Sequence, residues 1–145
     1  MLKILKEFWR PRERRKHGRI SAGATVKFRI IDGRNPNISS RMLQGKVLDI
    51  SAEGLCIGTN TVQIDGLHIF YSTSQHKNRV EIEVELHPDL APLRTIGEVR
   101  WYSRVEDETG PMYKMGVNWE SLSQSDRQTL KNFLKGNGLI LGNLK

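Results

Sequence analysis

Val80-Glu81-Ile82-Glu83-Val84-Glu85-Leu86 decides what kind of fold this chain can adopt. Apolar and acidic residues alternate without a break, so an extended backbone puts Val80, Ile82, Val84 and Leu86 on one face and the glutamates on the other. That is the pattern of a strand with one side on a core and one side in water. Upstream, Ala24–Ile31 is rich in β-forming residues and ends in the turn signal Asp32-Gly33. Residues 41–50 alternate through Met42, Leu43, Val47 and Ile50, residues 54–58 form a short apolar run, and Leu67–Tyr71 is another candidate strand. Downstream, Leu93–Arg104 and Met112–Trp119 flank the charged turn Glu106–Gly110. Short strands at this spacing predict an all-β antiparallel barrel or sandwich.

One internal helix is signalled, at 123–135. Ser123 or Ser125 offers an N-cap, Asp126 complements the positive end of the helix dipole, and Gly136 offers a stop. Leu130, Phe133 and Leu134 share a face that would pack on the barrel, and 136–145 reads as a tail. At the other end, Leu2, Leu5, Phe8 and Trp9 recur at helical spacing within an amphipathic segment, 1–11, which Pro11 closes. Residues 12–23 are basic and aperiodic, the composition of a flexible arm.

The 145 residues suit one domain. The net charge of +7 is unevenly placed: residues 1–30 hold ten Lys and Arg against two acids, and the remainder is −1 overall. A nearly neutral body with a basic arm points to an anionic partner at one place, although a basic tract can also be merely solvated. Cys56 is the single cysteine, which rules out an intrachain disulfide or a CxxC site; within Leu55-Cys56-Ile57 it reads as a buried structural thiol. No apolar run reaches the length of a membrane span, and the charges within 1–10 do not suit an export signal. A cytoplasmic location is expected.

Two short motifs carry the chemistry. In Arg14-Arg15-Lys16-His17-Gly18-Arg19, two arginines four apart can wrap a compact dianion, donating in pairs to phosphate oxygens or to the O6 and N7 of guanine. In Asp49-Ile50-Ser51-Ala52-Glu53-Gly54, set where one strand ends and the next begins, a carboxylate can accept the N1–H and N2–H of guanine. Asp, Ser and Gly are also ordinary turn residues, so the second motif alone is equally a β-turn.

Arg15-x-x-x-Arg19 followed by Asp49-x-Ser51-x-x-Gly54 resembles the PilZ domain, whose signature is RxxxR and then [DN]xSxxG. The resemblance covers residues 12–135 and extends to Gly97-Glu-Val-Arg-Trp101 and to Tyr113-Lys-Met-Gly116-Val-Asn-Trp119. It implies a six-stranded antiparallel β-barrel over 24–119, a C-terminal helix at 123–135 and a ligand-binding arm at 12–23. It also implies a receptor for cyclic di-GMP that changes conformation on binding and signals through a protein partner. Arg15, Arg19, Asp49, Ser51 and Gly54 are the implied ligand residues, with Lys16 and His17 as further contacts. Arg14, directly before the motif, implies two ligands per chain, because a stacked pair concentrates phosphate charge. No cofactor is implied. Residues 1–10 match no PilZ element, and they could cap the barrel, dock on a partner or contact a membrane surface.

Three rival readings stand beside this one. His17, His68, His76 and His87 show no metal-binding spacing and no serine sits in a GxSxG setting, so an enzyme is not expected. A single-stranded nucleic-acid binder would interleave aromatics with its basic residues, whereas Trp101, Tyr102, Tyr113 and Trp119 lie in predicted strands, so no nucleic acid is expected. A PilZ-like interaction protein without ligand binding is the third.

Overall fold

The computed structural model describes residues 24–87, 89–107 and 110–144. The amphipathic segment, the arm and therefore Arg14, Arg15, Lys16, His17 and Arg19 lie outside the described residues. Six strands close an antiparallel barrel: β1 (Thr25–Ile31), β2 (Leu43–Ile50), β3 (Gly54–Thr59), β6 (Arg79–Val84), β7 (Leu93–Asp107) and β8 (Gly110–Ser121), in the order β1-β2-β3-β8-β7-β6. A hairpin of two residues each, β4 (Gln63–Ile64) and β5 (Leu67–His68), follows β3, and helix α1 (Gln124–Leu144) follows β8. The expected six-stranded barrel with a C-terminal helix is the observed architecture.

The alternating strand explains the closure. β1 pairs with β6 in the register Val26↔Val84, Phe28↔Ile82 and Ile30↔Val80, and all six side chains are buried. The same register sets Lys27 opposite Glu83 and Arg29 opposite Glu81 on the outer face, and Arg29 forms an ion pair with Glu81. Apolar rows therefore meet inside and opposite charges meet outside, which is what cross-strand pairing rewards. Joining β1 to β6 also leaves the barrel without a free edge to template aggregation.

Ser123 caps α1: its Oγ accepts the Asp126 N–H at 3.0 Å. Leu130 is buried, and Phe133 and Leu134 pack against the same core, so the predicted apolar face does sit on the barrel. Two expectations are corrected. The helix does not stop at Gly136 but runs to Leu144 through what reads as a tail, because glycine costs a helix only about 1 kcal/mol relative to alanine and does not forbid it. Within Leu67–Tyr71 only Leu67 and His68 pair as strand, while Phe70 and Tyr71 are exposed. Leu67 and Ile69 alternate and are buried, but beyond His68 the backbone bonds as turn, with the Tyr71 N–H donating to the His68 carbonyl, so the strand goes no further.

The β4–β5 hairpin turns through Asp65-Gly66 with φ of 56° and 79°, the left-handed conformation that Asp and Gly accept in two-residue loops. Asp65 also fastens the hairpin to the barrel: its carboxylate accepts the Arg41 backbone N–H at 2.8 Å and pairs with the Arg41 guanidinium at 2.9 Å. The Arg41 side-chain and backbone hydrogen bonds hold the Asp65 carboxyl below its ordinary value. A depressed carboxyl stabilises the fold above its unfolded pKa of about 3.9, and that contribution is lost as pH falls through the lower folded value. Asp65→Asn keeps the turn conformation but not the charge. Its urea midpoint should therefore lie below the wild-type midpoint at neutral pH, with the difference closing in acid. A difference that stays constant from neutral pH into acid would exclude this ion pair as its source.

Candidate functional site

The Asp49–Gly54 segment is a built turn. Ser51 donates its N–H to the Gly54 carbonyl at 2.8 Å, and its Oγ receives the Glu53 N–H at 3.3 Å while donating to the Glu53 carboxylate at 3.2 Å. The Glu53 carbonyl accepts the Trp119 N–H at 2.9 Å, which pins the turn to β8. Asp49 and Ser51 are 8% and 7% exposed, so both polar side chains are presented from a closely packed wall, not from a loose loop. Gly54 has a further reason for its identity: a Cβ there would stand 1.9 Å from the Val117 carbonyl oxygen.

Alternation alone would turn Asp49 to the same face as Val47, into the barrel. Val47 and Ile50 are both in the core yet three residues apart, which a strictly alternating strand cannot arrange. The β2–β3 register shifts between Val47 and Asp49, pairing Val47 with Ile57 and Asp49 with Cys56, and this bulge absorbs the odd residue. Asp49 then heads a row across four strands: Asp49↔Cys56, Cys56↔Gly116 and Gly116↔Trp101. The Trp101 indole lies over Gly116, where any Cβ would be 2.1 Å from its Nε1. Cys56 is buried within this row, as a structural thiol should be.

Together these residues line a cleft of about 250 Å³ with Asp49, Ser51, Glu53 and Gly54 at one side and Arg100 and Trp101 at the other. The predicted Asp49, Ser51 and Gly54 are thus brought together, with Gly116 and Asn118 completing the wall. Arg100 and Trp101 were not singled out as site residues by sequence reasoning. The signal that would have found them is register: β7 also shifts between Val99 and Trp101, and no composition or periodicity marks that shift. Among the described residues, no three His, Cys, Asp or Glu side chains gather as a metal-holding group, and no helix is long and apolar enough to cross a membrane.

Fold and cleft describe a small closed β-barrel with a polar, aromatic-edged recess on its wall. A sequence profile described as "PilZ domain" matches residues 13–136. The chain belongs to the PilZ domain family. Among solved structures it is similar to the PilZ domain with c-di-GMP of YcgR from Escherichia coli, at 17% identity and a TM-score of 0.56, covering 85% of this chain and 90% of that one. It is also similar to the Bacillus subtilis inhibitor of motility MotI/DgrA, at 20% identity and a TM-score of 0.54, covering 87% of this chain and 51% of that one. The Borreliella burgdorferi PlzA protein in complex with c-di-GMP aligns over 100% of this chain and 59% of its own, at 14% identity and a TM-score of 0.53. These identities speak for the fold. No curated protein matches the sequence.

The geometry at Gly54 generates a test. Gly54→Ala must push β3 from the Val117 carbonyl, an overpacking cost on the order of 1–3 kcal/mol. Urea denaturation should show that loss, whereas Gly66→Ala, where a Cβ would meet no atom within 4 Å, should lose stability only through its positive φ. Equal stability of Gly54→Ala and wild type would show that the close approach is not a constraint.

Proposed function

We propose that this chain is a receptor for cyclic di-GMP, not an enzyme, that works in the cytoplasm by altering its contact with a protein partner. The observation that carries the reading is the Asp49–Gly54 turn, a pre-formed carboxylate-and-hydroxyl wall that faces an open cleft where the second PilZ motif falls. Solved members of the same fold hold c-di-GMP, which supports the same ligand class here. The matched segment 13–136 includes Arg15 and Arg19, so both halves of the motif pair lie within the family match.

The chemistry divides cleanly. Guanine presents donors at N1 and N2, which Asp49 can accept, and acceptors at O6 and N7, which a guanidinium can donate to. The phosphates call for cations, which Arg15 and Arg19 supply, with Lys16 and His17 as neighbouring contacts. Because the turn is held by its own hydrogen bonds, Ser51 loses little freedom on binding. Pinning that arm against the turn is the conformational change a partner would read, and it would set where Leu2, Leu5, Phe8 and Trp9 point.

Calorimetric titration with cyclic di-GMP tests this. Arg15→Ala, Arg19→Ala and Asp49→Ala should each weaken binding by about 2–4 kcal/mol, the range for truncating one partner of a charge-assisted pair in a partly desolvated site. Affinity should fall as salt rises. Wild-type affinity in the Arg15/Arg19 double alanine variant would sink the proposal, and a folded wild type that takes no cyclic di-GMP would leave an interaction protein in its place.

Stoichiometry follows from Arg14. A stacked ligand pair brings four phosphates together, and a third arginine offsets their repulsion. Two ligands per chain are expected for the wild type, moving toward one in Arg14→Leu; saturation of the wild type at one ligand would contradict it.

A further inference from the structure

The cleft is acidic on its described side. Asp49 and Glu53 both line it, and Glu98 contacts Arg100 at its edge, so a phosphate-bearing ligand entering there meets carboxylates. Among the described residues lining this cleft, Arg100 is the cation. Its placement is unusual for a strand residue. Val99 pairs with Val117 and Trp101 with Gly116, which leaves Arg100 as the extra residue of a bulge, opposite no partner of its own. Bulges re-aim side chains, and Arg100 lines the cleft together with Trp101, Ser51 and Asp49.

Arg100 is also lightly held. Its Nη1 lies 3.4 Å from a Glu98 oxygen, a long contact for an ion pair, and its side chain is 56% exposed. Glu98 is committed elsewhere as well, since its other oxygen forms an ion pair with Lys77. Neutralised from the Lys77 side, Glu98 retains Arg100 weakly and can release it to a stronger anion. Arg100 further borders the neighbouring recess formed by Ile69, Phe70, Lys77 and Asn78, so it can swing without crossing the core.

We propose that Arg100 is a ligand-contacting residue of this cleft. It is a guanidinium supplied by the barrel that donates to a phosphate of the bound cyclic dinucleotide, and Glu98 is the positioning residue that holds it until ligand arrives. The inference rests on the receptor reading above and adds to it a phosphate contact outside the two sequence motifs. Its physical basis is that a guanidinium held only by a long contact can turn to a phosphate and add positive charge to a cleft whose described lining also carries Asp49 and Glu53.

Titrating cyclic di-GMP into the full chain and into Arg100→Gln, Arg100→Lys, Glu98→Gln and the Glu98→Gln/Arg100→Gln double variant tests it. Arg100→Gln should weaken binding about tenfold or more and make affinity less sensitive to salt, as loss of a charge-assisted phosphate bond requires. Arg100→Lys should recover the salt sensitivity but only part of the affinity, because a point charge does not reproduce the guanidinium fork. Glu98→Gln should tighten binding severalfold, and that gain should vanish in the double variant, a coupling that a purely structural role for Glu98 would not produce. Wild-type affinity in Arg100→Gln overturns this assignment while leaving the receptor reading intact, whereas no binding by the wild type overturns both. If Arg100→Gln loses the circular dichroism of the barrel, the other single variants decide: unchanged affinity in both Arg100→Lys and Glu98→Gln overturns the assignment.

Discussion

Closing an antiparallel sheet on itself forces every strand residue to one side of a wall, and in this chain that constraint governs both core and site. β1 and β6 meet across the closure with three apolar pairs inside and opposite charges outside, so the seam is specified on both faces at once. Slipping that register by one residue would carry Phe28 and Ile82 to water and Lys27 and Glu83 to the interior. Such a barrel tolerates few departures from alternation. The departures it contains are therefore informative, and two of them flank the cleft.

Those two register shifts, at Leu48 in β2 and at Arg100 in β7, lie at opposite ends of one cross-strand row. Between them the row passes through Cys56 and Gly116, a small residue and one with no side chain, which leaves a shallow floor with Asp49 at one end and Trp101 at the other. The floor could not be deeper-walled without a larger residue at 116, and the Trp101 indole already occupies the space that a Cβ there would need. Packing of the wall and shape of the recess are thus the same set of contacts. Rigidity follows, because the turn that carries Ser51 is tied to β8 through the Glu53 carbonyl and the Trp119 amide.

Charge divides differently from shape. The described barrel presents carboxylates to the cleft at Asp49 and Glu53, while most of the basic excess of the chain sits in its first thirty residues. In the described lining the carboxylates of Asp49 and Glu53 are accompanied by one guanidinium, that of Arg100, which stays largely exposed and so avoids the desolvation penalty of a buried cation.

Much of this was legible in the residues themselves. Val80–Leu86 read as a half-buried strand, which the structure bears out as far as Val84, and the spacing of the remaining apolar runs left an antiparallel barrel among few choices. Ser123, Asp126 and the Leu130, Phe133 and Leu134 stripe placed the start and the buried face of the helix, although Gly136 was over-read as a stop because a propensity of about 1 kcal/mol is readily outweighed. Asp49, Ser51 and Gly54 were legible as a turn between two strands, because turn chemistry asks for those residue types there. Arg100 and Trp101 were not, since their place in the cleft depends on a shifted pairing between β7 and β8. The sequence by itself determined the alternation, the cap, the two motifs and the separation of basic segment from neutral body, all of which are local properties of chain and composition. Only the tertiary structure decided that Asp49 lines a cleft together with Arg100 and Trp101, because register is a relation between strands far apart in sequence and a bulge reverses it without changing a residue.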